Sequence, residues 1–395
     1  MAAHTPEQRT VAATGNTFVA EAFRQVRPAA VFAYPITPQT TIVEQFAAFV
    51  AAGKTDAEYV TVESEHSAMS AAIGSSAAGA RTLTATSSQG LAYMWEALHI
   101  ASGLRLPIVM ANANRALSAP INIHCDHSDV MGARDTGWVI LMAENAQEAY
   151  DNTIMSVRIA EENMLPVMPT LDGFITTHAI ARGEMMDDQT VAEFVGEYEP
   201  EHYLLNRDES ISVGGFANLG NSYMKVKKAE RDAIDNSGPS ILKVGKEWEA
   251  LSGRGYSHID CWSVDDADYV IVIMGSAAGN ARTVARELRE AGKKVGILKV
   301  RTYRPFPAME IAEALKGATA VAVMDRAESF GGPAGPLALD TSMALFQEDA
   351  SAKLRTYIYG LGGADVKLEL FREVFEELEA AAAGAPNPGL IYKGI

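Results

Sequence analysis

The chain has 395 residues, of which 48% are hydrophobic and 21% are charged, a composition typical of globular proteins. Asp and Glu number 50 against 33 Lys and Arg, so the net charge of −17 leaves no cationic excess for binding nucleic acid or an anionic membrane. Its two cysteines, Cys125 and Cys261, are too few for a four-cysteine iron–sulfur or zinc site, and no metal site is predicted.

Length and the absence of targeting signals give two further expectations. A chain of this length exceeds one typical core, which favours two or three domains. Residues 1–9 lack the apolar segment of a signal peptide, and no run of roughly 18 uncharged apolar residues follows. Together with the sparse cysteines, this predicts a soluble protein in the reducing cytoplasm.

The first 182 residues predict strands that alternate with helices, as in a parallel sheet covered on both faces. Helices are predicted over residues 10–26, 41–52, 68–80, 91–102 and 146–162. Strands are predicted over residues 29–34, 59–62, 82–86, 106–111, 139–142 and 165–171.

From residue 182 to 257 the pattern loosens into a connecting excursion. It begins as a polar connection at Met185, Met186 and Asp187 and ends in a charged helical segment over residues 223–250. A second set of strands (268–274, 294–300, 319–324) and helices (281–291, 331–347) then predicts a smaller α/β domain. The predicted domains are therefore 1–258 and 259–395, the second ending in an Ala/Gly/Pro tail that is loose or wraps a neighbour.

The first candidate for function is the Tyr-Pro-Ile-Thr-Pro segment at residues 34–38. Pro35 and Pro38 end a strand and pin the following turn, since proline fixes φ and lacks a donor. Thr37 is thereby held at the carboxyl end of a parallel strand, where open α/β sheets collect ligands. A rigid connection without chemistry is the alternative.

Charged residues follow two other strands. If the strand continued, Glu63 and Glu65 would lie on the same face of it, because side chains alternate with a period of two. Either helix capping or a functional carboxylate explains these two residues. Arg115 ends another strand, where it either binds a substrate carboxylate or pairs with an acid of the protein.

Three other motifs are rejected as active centres. The His-Cys-Asp-His-Ser-Asp run at residues 124–129 lacks metal-ligand spacing, which favours a polar loop that lines a cleft. The glycine-rich segment at residues 275–279 lacks the third glycine of a dinucleotide-binding loop. Ser87 and Ser88 lack the surroundings of a hydrolase nucleophile.

In their order along nearly the whole chain, these segments resemble the alpha subunit of 2-oxoacid:ferredoxin oxidoreductases, the pyruvate:ferredoxin oxidoreductase family. The matching motifs are those at residues 34–38 (YPITP), 63–65 (ESE), 87–91 (SSQGL), 114–116 (NRA), 126–129 (DHSD), 134–138 (RDTGW), 172–174 (DGF) and 300–307 (VRTYRPFP).

The resemblance implies a thiamine-diphosphate enzyme divided among subunits. This chain would provide the pyrimidine-binding parallel-sheet domain, followed by a smaller transketolase C-terminal-like α/β domain. A beta subunit would carry the diphosphate and Mg²⁺ site and a [4Fe–4S] cluster, with gamma and ferredoxin-like delta subunits in a dimer of hetero-oligomers. The lack of a Gly-Asp-Gly diphosphate motif in this chain agrees with that division.

The resemblance also implies roles for individual residues. Glu65 would hydrogen-bond the aminopyrimidine of the cofactor and favour its imino tautomer, while the backbone of Pro35 lies against the pyrimidine and Ser88 and Gln89 form the cofactor rim. Thr37 and Arg115 would hold the substrate carboxylate and oxo group, and Ile123, within residues 121–127, would line the side-chain pocket. The implied reaction decarboxylates a 2-oxoacid, passes electrons to iron–sulfur clusters and transfers the acyl group to coenzyme A.

Several alternatives stay open. Pyruvate is the leading substrate, ahead of an aryl or branched 2-oxoacid such as phenylglyoxylate. More distant alternatives are a beta-type chain of a 2-oxoacid dehydrogenase, a transketolase-like protein, and a scaffold subunit with a decayed site. The electron acceptor, the reaction direction and the roles of His124 and Cys125 are not predicted.

Overall fold

The computed structural model describes residues 4–217 and 220–395. In chain order its strands are β1 (Gln8–Thr14), β2 (Ala30–Ala33), β3 (Glu58–Thr61), β4 (Thr82–Thr86), β5 (Val109–Asn114), β6 (Val139–Met142), β7 (Val167–Asp172), β8 (Ile180–Met186), β9 (Ile259–Trp262), β10 (Tyr269–Ile273), β11 (Val295–Val300), β12 (Thr302–Arg304), β13 (Ala320–Asp325), β14 (Lys353–Tyr359) and β15 (Leu390–Lys393).

The helices surround these strands on both sides. They are α1 (Gly15–Gln25), α2 (Thr40–Ala51), α3 (Glu65–Ala77), α4 (Ser88–Tyr93), α5 (Trp95–Gly103), α6 (Ser128–Ala133), α7 (Ala146–Asn163), α8 (Asp188–Val195), α9 (Ser222–Asn236), α10 (Gly238–Ser252), α11 (Ala277–Glu290), α12 (Ala308–Leu315), α13 (Pro336–Gln347) and α14 (Leu368–Ala382). None of the helices in the described part of the chain is both long and apolar enough to cross a bilayer.

Two large sheets organise the molecule. The first has the order β12-β6-β7-β5-β4-β2-β3, parallel except for β12, and the second has the order β15-β14-β13-β10-β11-β9, parallel except for β9. Strands β4 to β7 are buried along their whole length, as expected for parallel strands covered on both faces. The predicted α/β class with two parallel-sheet units is therefore confirmed.

The apolar core is continuous between the two sheets. On one face of the first sheet, Phe18, Phe23 and Phe46 form a separate cluster with α1, α2 and α7. On the other face, a single cluster holds Trp138 of the first sheet's layer together with Val270 of the second sheet. β12 strengthens this connection, because it follows β11 of the second sheet and pairs with β6 of the first. The domain boundary at residue 258 stays a prediction, since the chain crosses back at β12.

Several helices begin where the sequence supplies a cap. The side chains of Thr14, Ser64, Asn145 and Asp187 each accept a hydrogen bond from a backbone N–H in the first turn of α1, α3, α7 and α8. Ser64 matters most for the site, because its cap makes Glu65 the first residue of α3.

Three local predictions in the first half were wrong. Residues 10–14 form strand β1 rather than a helix, since they pair with β8, a partner distant in sequence. Met185 and Met186 end that strand β8 and are buried, so they do not begin a polar connection. The predicted helix at residues 91–102 starts earlier, at Ser88, and divides into α4 and α5 at Met94.

The C-terminal tail returns to the second sheet. α14 extends to Ala382, and after a short connection β15 pairs in parallel with β14. The predicted loose or wrapping tail covered residues 380–388, and it was wrong for residues 380–382, because these residues belong to the last turn of α14.

A buried acid–base network joins the two domains. Asp172, at the end of β7, lies 2.9 Å from His127 Nε2 and accepts hydrogen bonds from the N–H and hydroxyl of Ser276 at 2.9 and 2.6 Å. Oδ2 of Asp172, the oxygen that accepts from Ser276, lies 3.3 Å from Arg326 Nη1. Burial opposes ionisation of Asp172, but His127 and Arg326 hold the pKa of its carboxyl well below the usual range. Through Ser276, the Asp172 carboxylate thus binds the glycine-rich segment at residues 275–279, which resembles a phosphate-binding loop.

We expect Asp172→Asn to destabilise the chain by about 3 kcal/mol or more, because the buried Arg326 loses its counter-charge. Guanidinium-induced unfolding measures this change. The matched control is Asp232→Asn, which breaks the exposed pair with Lys228 and should cost less than about 1 kcal/mol. Equal unfolding midpoints for the two variants would show that the network around Asp172 contributes no more to stability than an exposed ion pair.

A second buried carboxylate closes the start of α13. Asp325, at the end of β13, accepts hydrogen bonds from the backbone N–H groups of Leu337 and Ala338 at 2.7 and 3.0 Å. Burial raises the pKa of Asp325 to about 7, although these two hydrogen bonds act in the opposite direction.

Stability should therefore fall as pH rises toward 7. The unfolded chain releases the proton of Asp325 above the ordinary pKa of an aspartate, near 4, whereas the folded state keeps this proton. The stabilisation that the bound proton provides is lost as pH rises through about 7. Denaturation midpoints at pH 5 to 8 should show a shallower decline in Asp325→Asn than in the wild type. Parallel pH curves would show that Asp325 does not contribute.

Candidate functional site

The predicted site segments meet at one edge of the first sheet. β5, β4, β2 and β3 are neighbours in that order and run parallel, so their carboxyl ends lie side by side. The segments that follow these four strands contain Arg115, Ser88 with Gln89, Pro35 with Thr37, and Glu65.

Glu65 is a nearly buried carboxylate without a partner in the described chain. It is 9% exposed, and no described residue hydrogen-bonds or ion-pairs with it. A Cβ on Gly90 would lie 2.8 Å from Glu65 Oε1 and 2.5 Å from Thr86 Oγ1, so the absence of a side chain at Gly90 makes room for both groups. The Thr86 hydroxyl is itself buried and without a described hydrogen-bond partner. Burying such groups unpaired is costly, which indicates a ligand from outside the chain.

The expected pairing of Glu63 and Glu65 on one strand face was wrong. α3 begins at Glu65, so the strand period does not continue through both residues. Glu63 is exposed and accepts a hydrogen bond from the Ser67 hydroxyl at 2.6 Å. Ser64 is the cap of α3, Glu63 accepts from the Ser67 hydroxyl, and Glu65 lies in the first turn of the helix without a hydrogen-bond partner among the described residues.

Arg115 is a buried cation that forms no ion pair with the described acids. Its Nη1 donates to the carbonyl of Thr37 at 2.8 Å and its Nε to the carbonyl of Asn122 at 3.0 Å. It is 6% exposed, and among the described residues no carboxylate lies within ion-pair distance of its guanidinium. Burial lowers the pKa of Arg115, while the charge of Asp129 acts in the opposite direction. An arginine guanidinium stays protonated in proteins, so the side chain is charged. The alternative of an ion pair with an acid of the described chain was therefore wrong.

Thr37 and Pro35 form the open side of this arrangement. Both are exposed, and the Thr37 hydroxyl has no hydrogen-bond partner within residues 4–217 and 220–395. The turn that carries them is held from beneath, because Gln39 donates to the carbonyl of Ala85 and accepts from the N–H of Ile36.

Ser88 and Gln89 differ in what they offer a ligand. The Ser88 hydroxyl is buried, 2.6 Å from the carbonyl of Ala116, so it serves the fold rather than the open edge. Gln89 is partly exposed and donates to the Ser118 hydroxyl at 2.9 Å. Cofactor contact by either residue stays a prediction.

Asp129 ties the site together, and the sequence analysis gave it no such role. Its Oδ2 atom accepts from the backbone N–H of Ser88 at 2.9 Å, the backbone N–H of Arg115 at 3.1 Å and Nδ2 of Asn112 at 3.1 Å. Burial raises the pKa of Asp129 to about 6, against these hydrogen bonds. The available signal was its place in the Asp-His-Ser-Asp motif, but nothing in a sequence shows which backbone groups a carboxylate will reach.

The loop after Arg115 supplies the predicted pocket residue. Ile123 is 40% exposed, and its neighbour Asn122 contacts Arg115 directly. The ring of His124 packs on Phe174 with centroids 5.1 Å apart. Cys125 is buried, and burial raises the pKa of its thiol, which disfavours a nucleophilic thiolate.

One cluster has metal-ligating side chains. Cys125, His127 and Asp172 place one ligand atom each within 4.8 Å of one another. Asp172 is already bonded to Ser276, His127 and Arg326 in the interdomain network, and a buried guanidinium beside it disfavours a cation.

Two of the family-like motifs lie elsewhere. Arg134, Asp135 and Arg304 line a cleft of about 730 Å³ between α9 and the pair α12–α13. Arg304 donates to Asp340 at 2.9 Å and lies 3.5 Å from Asp135, so these motif residues join the domains.

The chain matches two family models in succession. Residues 21–245 match the thiamine-diphosphate-binding domain of pyruvate flavodoxin/ferredoxin oxidoreductase, and residues 267–371 match pyruvate:ferredoxin oxidoreductase core domain II. Among curated proteins, pyruvate synthase subunit PorA of Thermotoga maritima is 48% identical over 369 residues, covering 93% of this chain and 94% of that protein. Ketoisovalerate oxidoreductase subunit VorA of Pyrococcus furiosus is 42% identical over 367 residues, covering 93% of each.

Solved structures share the fold at low identity. The 2-oxoglutarate:ferredoxin oxidoreductase of Magnetococcus marinus, solved with 2-oxoglutarate, coenzyme A and succinyl-CoA, aligns with a TM-score of 0.70 at 19% identity. That alignment covers 93% of this chain and 65% of the other, so this chain spans about two thirds of its length. A split-gene transketolase aligns at a TM-score of 0.56 and 14% identity, over 94% of this chain and 98% of the other.

The family predicted from the sequence motifs is thus confirmed by matches that cover most of the chain. The chain belongs to the pyruvate:ferredoxin oxidoreductase family, as the alpha subunit of an oxidoreductase that acts on 2-oxoacids.

Proposed function

We propose that this chain is the alpha subunit of a thiamine-diphosphate-dependent, CoA-acylating 2-oxoacid:acceptor oxidoreductase with pyruvate as its leading substrate. The reaction converts the 2-oxoacid and coenzyme A to acyl-CoA and CO₂, with two electrons leaving through iron–sulfur clusters on partner subunits. The observation that carries the proposal is the presence, at one edge of the first sheet, of two charged groups without an ion-pair partner among the described residues, Glu65 and Arg115.

The surroundings of Glu65 fit the pyrimidine half of the cofactor. The carboxylate lacks a described partner, and it occupies space that a side chain at position 90 would otherwise fill. A carboxylate in this setting would share a proton with a ring nitrogen of the aminopyrimidine, and the exposed backbone of Pro35 would lie along the ring. When bound, thiamine diphosphate supplies the nucleophilic carbon that adds to the 2-oxo group.

Arg115 and Thr37 fit the anionic end of the substrate. The guanidinium is oriented by two carbonyl acceptors and keeps its charge, while the Thr37 hydroxyl is free to donate. A monocarboxylate such as pyruvate would be held through its carboxylate by Arg115, with the Thr37 hydroxyl near the oxo group. A dianionic substrate would ask for a further cation, and none is adjacent to Thr37 in the sequence.

The other half of the site is assigned to partner subunits in the cytoplasm. The beta subunit would provide the diphosphate and Mg²⁺ ligands and a [4Fe–4S] cluster, with gamma and delta subunits completing the electron path. Tyr93 and Trp95 support a subunit contact here, because they are 59% and 53% exposed at the end of α4 and the start of α5.

A branched 2-oxoacid is the second candidate substrate. The relatives include a ketoisovalerate oxidoreductase subunit at 42% identity, within the 41–48% range of the pyruvate synthase subunits. Ile121 and Ile123 are exposed on the loop next to Arg115, where an apolar substrate side chain would find apolar contact. An aryl substrate such as phenylglyoxylate is the further alternative.

We expect the complex with its native partners to reduce viologen in the presence of coenzyme A and pyruvate, and more slowly with 2-oxoisovalerate, phenylglyoxylate or 2-oxoglutarate. Glu65→Gln should lower kcat roughly 100-fold or more, because the amide cannot exchange the proton. Glu63→Gln, which alters an exposed neighbour, is the matched control and should retain wild-type turnover. Unchanged turnover in Glu65→Gln would refute the catalytic assignment, and activity of this chain without partners would refute the divided site.

Gly90→Ala should weaken cofactor binding, because the new Cβ would occupy space now filled by Glu65 and Thr86. We expect the concentration of thiamine diphosphate that half-saturates activity to rise about tenfold. Gly74→Ala, in α3 with open space at its Cβ position, is the matched control and should leave this concentration unchanged. Similar saturation curves for the two variants would show that the space at Gly90 has no role in cofactor binding.

A further inference from the structure

The loop that follows Arg115 folds back on this residue before it enters α6. The carbonyl of Asn122 accepts from Arg115 Nε at 3.0 Å, and the carbonyl of His124 accepts from the N–H of Ala116 at 3.0 Å. We name residues 116–126 the substrate-side loop. Its conformation decides where Asn122 places the carbonyl that orients the guanidinium.

A glycine turn of the second domain holds this loop from the far side. The turn follows β14 and contains Gly360, Gly362 and Gly363, all with positive φ between 59° and 78°. Three hydrogen bonds cross between the turn and the loop. Asn122 Nδ2 donates to the carbonyl of Gly362 at 2.9 Å, the N–H of Gly362 donates to Asp126 at 3.1 Å, and the N–H of Gly363 donates to the carbonyl of Cys125 at 2.7 Å.

The contact leaves no room for side chains on the turn. A Cβ on Gly362 would lie 2.3 Å from Asn122 Nδ2, and a Cβ on Gly363 would lie 2.4 Å from the Cβ of His124. Glycine is thus needed at both positions for the approach to the loop as well as for the positive φ.

The turn is itself fixed to the interdomain network. Arg326 Nε donates to the carbonyl of Gly360 at 3.0 Å, and Nη1 of the same side chain is 3.3 Å from Asp172. A continuous set of contacts therefore runs from Asp172 through Arg326 and the glycine turn to Asn122.

We propose that the glycine turn Gly360–Gly363 positions Asn122 and, through it, Arg115, so that the second domain sets the affinity and preference for the 2-oxoacid. Asn122 and Gly362 act as positioning residues, since they reach the substrate only through Arg115 and the loop. The proposal rests on the function proposed above. It gives the second domain a part in the reaction through its contacts with the substrate-side loop.

The experiment compares Gly362→Ala with Gly292→Ala in the complex with its native partner subunits. Gly292 also has positive φ, at 87°, but nothing lies within 4 Å of its Cβ position, so it matches the backbone strain without the collision. Gly362→Ala should raise the KM for pyruvate about tenfold, with a smaller change in kcat, because the guanidinium loses its orientation before chemistry begins. The kcat/KM ratio between pyruvate and 2-oxoisovalerate should also change, and Gly292→Ala should alter neither quantity.

Asn122→Ser provides a second test that leaves the second domain untouched. It removes the amide that donates to Gly362 and should raise the KM for pyruvate in the same direction. The double variant Gly362→Ala with Asn122→Ser lacks the amide that collides with the new Cβ. Its KM for pyruvate should therefore not exceed the higher KM of the two single variants. Amide hydrogen exchange of the peptide covering residues 116–126 should be faster in both single variants than in Gly292→Ala.

The outcomes separate this inference from the proposed function. Wild-type KM, substrate preference and exchange in both Gly362→Ala and Asn122→Ser would overturn the inference while the proposed function stands. A wild-type complex that oxidises no 2-oxoacid would overturn both.

Discussion

The hydrogen bonds and charges around Asp172 are the constraint on which the rest of the structure depends. This one carboxylate ends β7, contacts His127 just after the substrate-side loop, and binds Ser276 and Arg326 of the second domain. Since Asp172, His127 and Arg326 are buried, each would be costly alone, and they stabilise one another. The relative placement of the two sheets is therefore coupled to the conformation of the segment beside Arg115.

The buried acids of this chain fall into two groups that differ in what satisfies them. Asp172, Asp129 and Asp325 each accept hydrogen bonds from several protein donors, and each joins elements that are distant in sequence. Glu65 has no described partner at all, although it is almost as buried. Folding explains the first three, and a ligand is the remaining explanation for Glu65, because an unpaired buried carboxylate is otherwise destabilising.

Local pattern was enough to predict the parallel strands β2 to β7 of the first sheet and the convergence of their ends. The runs that became β2, β4 and β6 are apolar or β-branched and stop at proline or polar residues, so their limits are visible in the sequence. Because carboxyl ends of neighbouring parallel strands meet, Thr37, Glu65 and Arg115 could be assigned to one edge before any coordinates. Motif order then indicated the family.

What could not be predicted depends on contacts between distant parts of the chain. β1 has a helical pattern of apolar residues and becomes a strand only because β8 is there to pair with it. β12 is three residues long, and its return to the first sheet leaves no periodic signal. The hydrogen bonds of Asp129 to the backbone of Ser88 and Arg115 are equally invisible, since a sequence does not show where backbone groups will point.

Glu65 and Arg115 carry opposite charges at the same edge of the first sheet, but β4 and β2 lie between the strands that these residues follow. Each group has surroundings of its own. The carbonyls of Thr37 and Asn122 orient the guanidinium, and the absence of a side chain at Gly90 makes room for the carboxylate. Neither group forms an ion pair within the described residues, and burying a charge in this way costs stability unless another molecule completes the site. The second domain takes part in this arrangement, because the amide of Asn122 also donates to its glycine turn.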